Sequence, residues 1–409
     1  KYMNKKLSMA VAGAVMAFGA SAANAGITIP AGDWTIDIGG NVNTFYTNTS
    51  FDGDVESSTP GALTSESANE ISTGLLPSAL GVGGKTRQND LDIAFQFTFF
   101  VGANSNGSGA GSLNGVSQGA QGNSLNIRQA FMTFGDASWG SIKMGRDLGV
   151  FGSDAILSDM TLLGVGVGAG GAGSSTLGRI GAGYLYADWV GQIQYASPNW
   201  NGFSFNVAIQ EPWNNSENSD LGYAGKVGYD WAGDVSGKVW AGLISQKQRT
   251  AQTTSTALVV TPAESATAKA WEIGAKVNFS GFGLVGYYYD GENFGLPAVA
   301  GVVPLTGLAL GNLGTSDHDV DGGYIQGTYT IAGANNLKLG LSWGESNYDG
   351  NTGEGDFSAE SWIVGAYYPI TKSLNLVAEY TSTDYEDLGL VKGADGDADT
   401  IALGAIMFF

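Results

Sequence analysis

Apolar and polar residues alternate along much of this chain. In "DLDIAFQFTFFV", Leu91, Ile93, Phe95, Phe97, Phe99 and Val101 share one face, and Asp92, Ala94, Gln96 and Thr98 share the other. "GFSFNVAIQ" sets Phe203, Phe205, Val207 and Ile209 against Ser204, Asn206, Ala208 and Gln210. "KAWEIGAKVNF" and "NLKLGLSW" repeat the pattern through Trp271, Ile273, Val277 and Phe279, and through Leu337, Leu339, Leu341 and Trp343. A period of two is that of a strand with one apolar and one polar face. Each run is long enough to cross a bilayer as a tilted strand.

The connections alternate too. Short ones fall at 136–140, 198–202, 232–236, 333–336 and 371–373, and long ones near 49–76, 104–124, 150–182, 249–267 and 293–319. Short turns on one side and long loops on the other predict an all-β, transmembrane antiparallel β-barrel. A soluble sandwich would turn its apolar faces inward. Aromatic residues at strand ends, such as Trp34, Trp139, Trp200, Trp231 and Tyr367, suit the interfacial girdles of a membrane barrel. Sixteen strands are expected, beginning near 33, 76, 91, 125, 140, 183, 202, 221, 236, 268, 282, 320, 336, 358, 373 and 398. An even number puts both termini on the short-turn, periplasmic side. The chain stops on "DTIALGAIMFF", an alternating strand with no polar tail. Such a strand has to pair with the first one, because an open edge in lipid leaves backbone groups unsatisfied.

Composition narrows the function. Of 409 residues, 14% are charged and 43% hydrophobic, with 65 glycines and a formal net charge of −20. The acidic balance argues against nucleic acid as a partner. Cysteine is absent and His318 is the one histidine, which removes thiol chemistry and nearly all histidine-based catalysis. The start, "MNKKLSMAVAGAVMAFGASAANAG", reads as a signal peptide: Lys5 and Lys6, an apolar core from Leu7 to Phe18, and an Ala23-Asn24-Ala25 cleavage site. Residues 1–25 are expected to be removed, leaving 26–409 as the barrel domain. That segment carries Lys1, Lys5 and Lys6 and no acid, so 15 bases remain against 38 acids, a net charge of −23.

Three motifs suggest other chemistry. "GVGAGG" at Gly166, Gly168 and Gly171 fits a dinucleotide loop but lacks the βαβ context. "GVSQG" around Ser117 fits a nucleophile elbow without its strand and helix. "DHDVDGG" places Asp317, Asp319 and Asp321 as at the start of a calcium loop. Thr328 stands at position twelve instead of glutamate, which rules out an EF-hand and leaves a candidate structural Ca²⁺ site in an external loop. No other cofactor is expected.

Several stretches resemble the trimeric general-diffusion porins of Gram-negative bacteria. "SALGVGGKTRQNDLDIAFQFTFF" is similar to their second and third strands, "LNIRQAFMTFGDASWGSIKMGRDLGVF" to the fourth and fifth, and "GRIGAGYLYADWVGQIQYASPNWNGFSFNV" to the sixth and seventh. The resemblance implies an outer-membrane homotrimer in contact with lipid and lipopolysaccharide. It implies that the loop after the fifth strand, here 148–182, folds into the pore with its acids facing basic wall residues. Arg128 and Arg179 match two of those bases and Asp159 one of the acids. Asn41 and Ala79 stand where the family often has bases, and Leu163 near its second acid. Parity puts Lys143 in the lumen and Arg146 outside. Arg128 fits lumen parity only weakly, because Gln129 and Thr133 disturb the opposite face. Arg128, Arg179, Asp159 and Lys143 are therefore the constriction candidates.

The expected function is passive diffusion of ions and small hydrophilic solutes. Inward charges nearly balance, and acids dominate outside, which predicts a modest cation preference. A channel selective for sugars or small anions is the alternative. A barrel enzyme and a surface receptor are the remaining readings, and neither has a catalytic constellation or a plug domain to support it.

Overall fold

The burial pattern is inverted relative to a soluble protein. Leu243 is 65% exposed and Ile325 62%, while Gln192, Gln246, Gln326 and Glu272 are buried. Alternate residues of the long strands face out and are mostly apolar; the inward positions mix polar side chains with aromatic and small apolar ones such as Trp240, Tyr287 and Ala402. That arrangement suits lipid outside and a polar interior.

The computed structural model describes residues 26–54, 67–103, 125–167, 175–212, 220–249, 253–254, 260–261, 265–294, 318–349, 355–387 and 392–409. The proposed signal peptide, Ser117, Gly168, Gly171 and Asp317 lie outside them. The strands are β1 (Ile27–Ala31), β2 (Trp34–Gly53), β3 (Ser67–Ser72), β4 (Ser78–Gln88), β5 (Leu91–Val101), β6 (Asn126–Asp136) and β7 (Gly140–Leu148). Then come β8 (Trp189–Ala196), β9 (Phe203–Gln210), β10 (Gly222–Trp231), β11 (Val235–Arg249), β12 (Thr253–Thr254), β13 (Val260–Thr261) and β14 (Ser265–Phe279). The last are β15 (Phe282–Glu292), β16 (Asp319–Ile331), β17 (Leu337–Tyr348), β18 (Phe357–Pro369), β19 (Leu374–Glu386) and β20 (Gly396–Phe408).

These form a closed antiparallel barrel of sixteen rows. Each long strand pairs with its sequence neighbour, and β20 returns to pair with β2 from Phe408↔Asn41 to Gly396↔Gly53. Two rows are composite. β3 and β4 lie in line against β2, at Ser50–Phe45 and Asn41–Thr35. β1 folds back on β2 from Ile27↔Ile38 to Ala31↔Trp34 and continues the row of β20 beyond Phe409. β12 and β13 make a separate two-residue hairpin.

Several short turns carry left-handed residue pairs. Asn89–Asp90, Ser280–Gly281 and Asn335–Asn336 all have positive φ. Two consecutive residues of that kind match the right-handed twist of the strands they join.

Four sequence expectations need correction. The second row begins at Ser67 rather than 76, so part of the expected loop 49–76 is strand. The sixth row begins at Trp189 rather than 183, which extends the connection after β7 to 149–188. The β1 hairpin has too few residues to show a clear period and was not foreseen. Asp319 and Asp321 lie inside β16, not in an external loop. An extended strand cannot wrap an ion as a calcium loop does. Among the described residues no group of three or more acidic or histidine side chains is placed to hold a metal.

Candidate functional site: an inward loop and the charged wall

The described parts of the connection from 149 to 188 lie against the inward faces of the wall. Its neck is closed by Gly149 N–H donating to Asp188 O at 2.9 Å. A short helix α1 (Ser153–Ser158) follows, then a 3-10 turn (Met160–Leu163) whose first turn is capped by Asp159 accepting from Thr161 N–H.

Wall side chains capture the loop's backbone at successive points. Gly152 N–H donates to Glu272 Oε2 on β14 at 2.9 Å. Met160 N–H donates to Gln326 Oε1 on β16 at 2.7 Å, and the Gln326 amide donates to Ser158 O. Val165 and Gly166 N–H both donate to Glu379 Oε2 on β19, at 2.7 and 2.8 Å. Glu379 Oε1 accepts from Tyr367 on β18. A buried irregular segment needs such partners for its amides. Glu272 is 1% exposed and Glu379 4%, so these inward acids serve as loop acceptors.

The gap between β3 and β4 meets the loop. Leu75 N–H donates to Gly164 O at 2.9 Å. Asn43 accepts from Gly74 N–H and donates to Leu76 O, while Asn41 donates to Pro77 O. Asn41, which stands where the resembled family often has a base, thus satisfies the carbonyl freed by the strand break.

The constriction candidates fall into two groups. Arg179 is fully buried on the returning limb. It donates to Ser342 Oγ at 2.6 Å, Ser361 Oγ at 2.8 Å and Ala182 O at 3.1 Å. Burial pushes its guanidinium down to about 10, with the Asp159 charge opposing. Asp159 accepts from Tyr184 OH at 2.8 Å. The fold therefore brings Asp159 and Arg179 together, at the loop–wall seam.

Arg128 and Lys143 lie near the neck instead. A β-bulge separates Thr98↔Gln129 from Phe99↔Ile127, so Arg128 has no partner in the ladder. One extra residue lets Arg128 and Gln129 both turn inward. This corrects the weak parity expected for Arg128. Its guanidinium sits 5.0 Å from the centre of the Phe100 ring. Burial pushes the Tyr186 phenol of the returning limb up to about 12, and the Arg128 charge opposes that rise. Lys143 faces Thr133 and Gln194 across the sheet, inward as expected, and ion-pairs with Asp147. Arg146 pairs with Ala130 in the ladder, but its Nε is buried and its charge acts on Tyr186 of the returning limb, so the outward placement expected from parity does not hold for its side chain.

A third charged group was not singled out from the sequence. Lys226 on β10 and Lys238 on β11 each ion-pair with Asp154 of α1 at 2.5 Å. Burial raises the Asp154 carboxyl, but the two ammonium groups outweigh it and hold the group at about 2. A depressed carboxylate stabilises the folded form above its unfolded value, and that contribution is lost as pH falls through the folded value. The contribution of Asp154, read as the difference in conductance between wild type and D154N, should persist from neutral pH down past 4 and vanish only as pH approaches about 2. A difference that vanishes near pH 4–5 would contradict this anchor.

A closed barrel with a lipid-type exterior, long connections on one side and a loop bound to its inner wall defines the class of outer-membrane channels. A family profile described as Gram-negative porin matches residues 10–388, and the chain belongs to that family. Its place is the outer membrane, which it crosses with β-strands. No curated protein sequence matches the chain. Among solved structures it is similar to an anion-selective porin from Comamonas acidovorans, at 16% identity over 92% of this chain and 100% of that one, with a TM-score of 0.59. OmpF of Salmonella typhi in complex with daunomycin shows 20% identity over 94% and 100%, with a TM-score of 0.62. The outer-membrane channel DcaP of Acinetobacter baumannii shows 14% over 94% and 100%, with a TM-score of 0.60. At these identities the likeness concerns the fold.

Proposed function

We propose that the barrel is a water-filled pore for passive diffusion of ions and small hydrophilic solutes, narrowed by the 149–188 loop. The observation that carries this reading is the closed wall, apolar outside and bearing polar and charged side chains inside, with a loop laid against its inner face. Passage then depends on pore width and wall charge instead of a chemical step, so the reading is of a channel and not an enzyme. The signal peptide at 1–25 and a homotrimer belong to the same reading. A trimer form is described for OmpT of Vibrio cholerae, a structural relative.

A modest cation preference at low salt is part of the proposal. Asp290, Asp319, Glu345, Asp349, Glu360 and Asp397 gather at the long-connection ends of β15–β20. A negative mouth concentrates cations, and the effect decays over a Debye length of about 8–10 Å at physiological salt. Reversal potentials across a salt gradient should show cation preference that weakens as salt rises. Anion preference at low salt would overturn this and place control with the wall bases. The alternative of selectivity for small anions is favoured by one observation, two inward lysines that make no ion pair among the described residues.

A further inference from the structure

Between the underside of the loop and the short turns lies a cavity of about 810 Å³. Its roof is the loop from Leu157 to Leu163, and its wall is the short-turn ends of β11 and β14–β19. Lys276 of β14 and Lys338 of β17 both line it. The other inward lysines each hold a carboxylate: Lys85 with Asp37 at 2.9 Å, Lys143 with Asp147, and Lys226 and Lys238 with Asp154. Among the described residues Lys276 and Lys338 have no such partner.

Lys276 stands directly across the sheet from Lys238, with the Asp154 charge also acting on it. Lys338 lies within electrostatic range of Lys276, and of Glu379 and Asp159, whose oxygens already accept from the loop backbone, Tyr367 and Tyr184. Lys338 Nζ rests 4.6 Å from the centre of the Tyr367 ring. Two acids also border the cavity. Asp159 has both oxygens occupied by Thr161 N–H and Tyr184 OH, and Asp234 is exposed on a turn at the mouth. Thr328, Thr330 and Asn375 add neutral hydrogen-bonding groups to the lining.

We propose that this cavity is a subsite for a small, multiply charged oxyanion, held between Lys276 and Lys338. Two ammonium groups in a partly dry wall, neither in an ion pair among the described residues, are stabilised by an anion that accepts from both. The oxyanion's remaining oxygens can accept from the threonine hydroxyls and the asparagine amide. Access is more direct from the short-turn side, because the loop narrows the passage from the opposite end. The acidic outer mouth and the basic inner cavity then act on different ions: the first concentrates cations, the second retains anions.

The inference rests on the channel reading, and one experiment separates the two. Inorganic phosphate is added to either side of oriented single channels carrying KCl current, with the wild type and the K276Q/K338Q double variant compared. Saturable reduction of current by phosphate from the short-turn side is expected. The half-saturating concentration should rise by roughly tenfold or more in the double variant, as loss of two charge-assisted contacts implies. A K276R/K338R variant, which keeps both charges, should retain saturable block. A wild type that passes no KCl current would overturn the channel reading itself. Normal KCl current with phosphate acting equally on the wild type and K276Q/K338Q would overturn the subsite alone.

Discussion

Replacing Glu379 with alanine should loosen the pore loop without dissolving the barrel. Its carboxylate accepts from Val165 N–H, Gly166 N–H and Tyr367 OH, and the neighbouring Thr381 hydroxyl donates to Gly166 O. Alanine leaves two buried backbone donors without an acceptor, at about 1–3 kcal/mol each. The strands do not depend on those bonds, since the β18–β19 and β19–β20 ladders are made by backbone groups. The expected result is larger and noisier single-channel conductance, with the heat resistance of the barrel nearly unchanged. Glutamine is the control. Its carbonyl oxygen can take both N–H groups, and its amide can donate to the Tyr367 oxygen, so E379Q should stay close to wild type. An E379A channel with wild-type conductance and noise would show that the loop is held elsewhere.

Deleting Phe409 should cause the largest loss of assembled protein. Gly40 N–H donates to Phe409 O at 2.9 Å and Phe409 N–H donates to Gly40 O at 3.1 Å, just where the β20 row passes to β1. Without these bonds the seam opens a gap at membrane depth, where an unsatisfied backbone group costs several kcal/mol. The ring also lies close to Gly40: a Cβ there would come within 3.1 Å of Phe409 Cζ and 2.1 Å of Ala79 O. Outer-membrane yield and heat-resistant oligomer on gels measure the effect. F409A, which keeps the backbone bonds, should fall between wild type and the deletion. Undiminished yield in the deletion would contradict this account of closure.

The barrel was legible because its two solvents impose a period of two. Trp271, Ile273 and Leu341 face outward, and Glu272 and Gln326 inward, so alternation alone placed most strands within a few residues. What alternation could not show was any departure from its own count. The bulge at Arg128 adds one residue, and Gln129 then reads as a violation when it is part of the same inward face. The break between β3 and β4 is supported by Asn41 and Asn43, whose amides replace ladder bonds; nothing in the local pattern marks them.

The loop's attachments were hidden for another reason. Gly152 and Glu272 are 120 residues apart in sequence, and Gly166 and Glu379 are 213. Glu272 and Glu379 were recognisable as inward acids, flanked by outward apolar residues, but their use as loop acceptors depends on tertiary contact. Arg179 was picked out as a charge facing the pore, yet it is buried against Ser342 and Ser361, where its work is attachment. Lys276 and Lys338 were also legible as inward bases. Among the described residues neither makes an ion pair, whereas Lys85, Lys143, Lys226 and Lys238 do, a contrast set by tertiary contact.

Single-channel current through the purified protein in a planar bilayer tests the central claim most directly. An open, water-filled barrel narrowed by one loop should give stepwise insertions with large conductance, linear in voltage and rising with KCl concentration. Insertions that carry no current would contradict the account, because a closed wall with its interior blocked cannot serve diffusion.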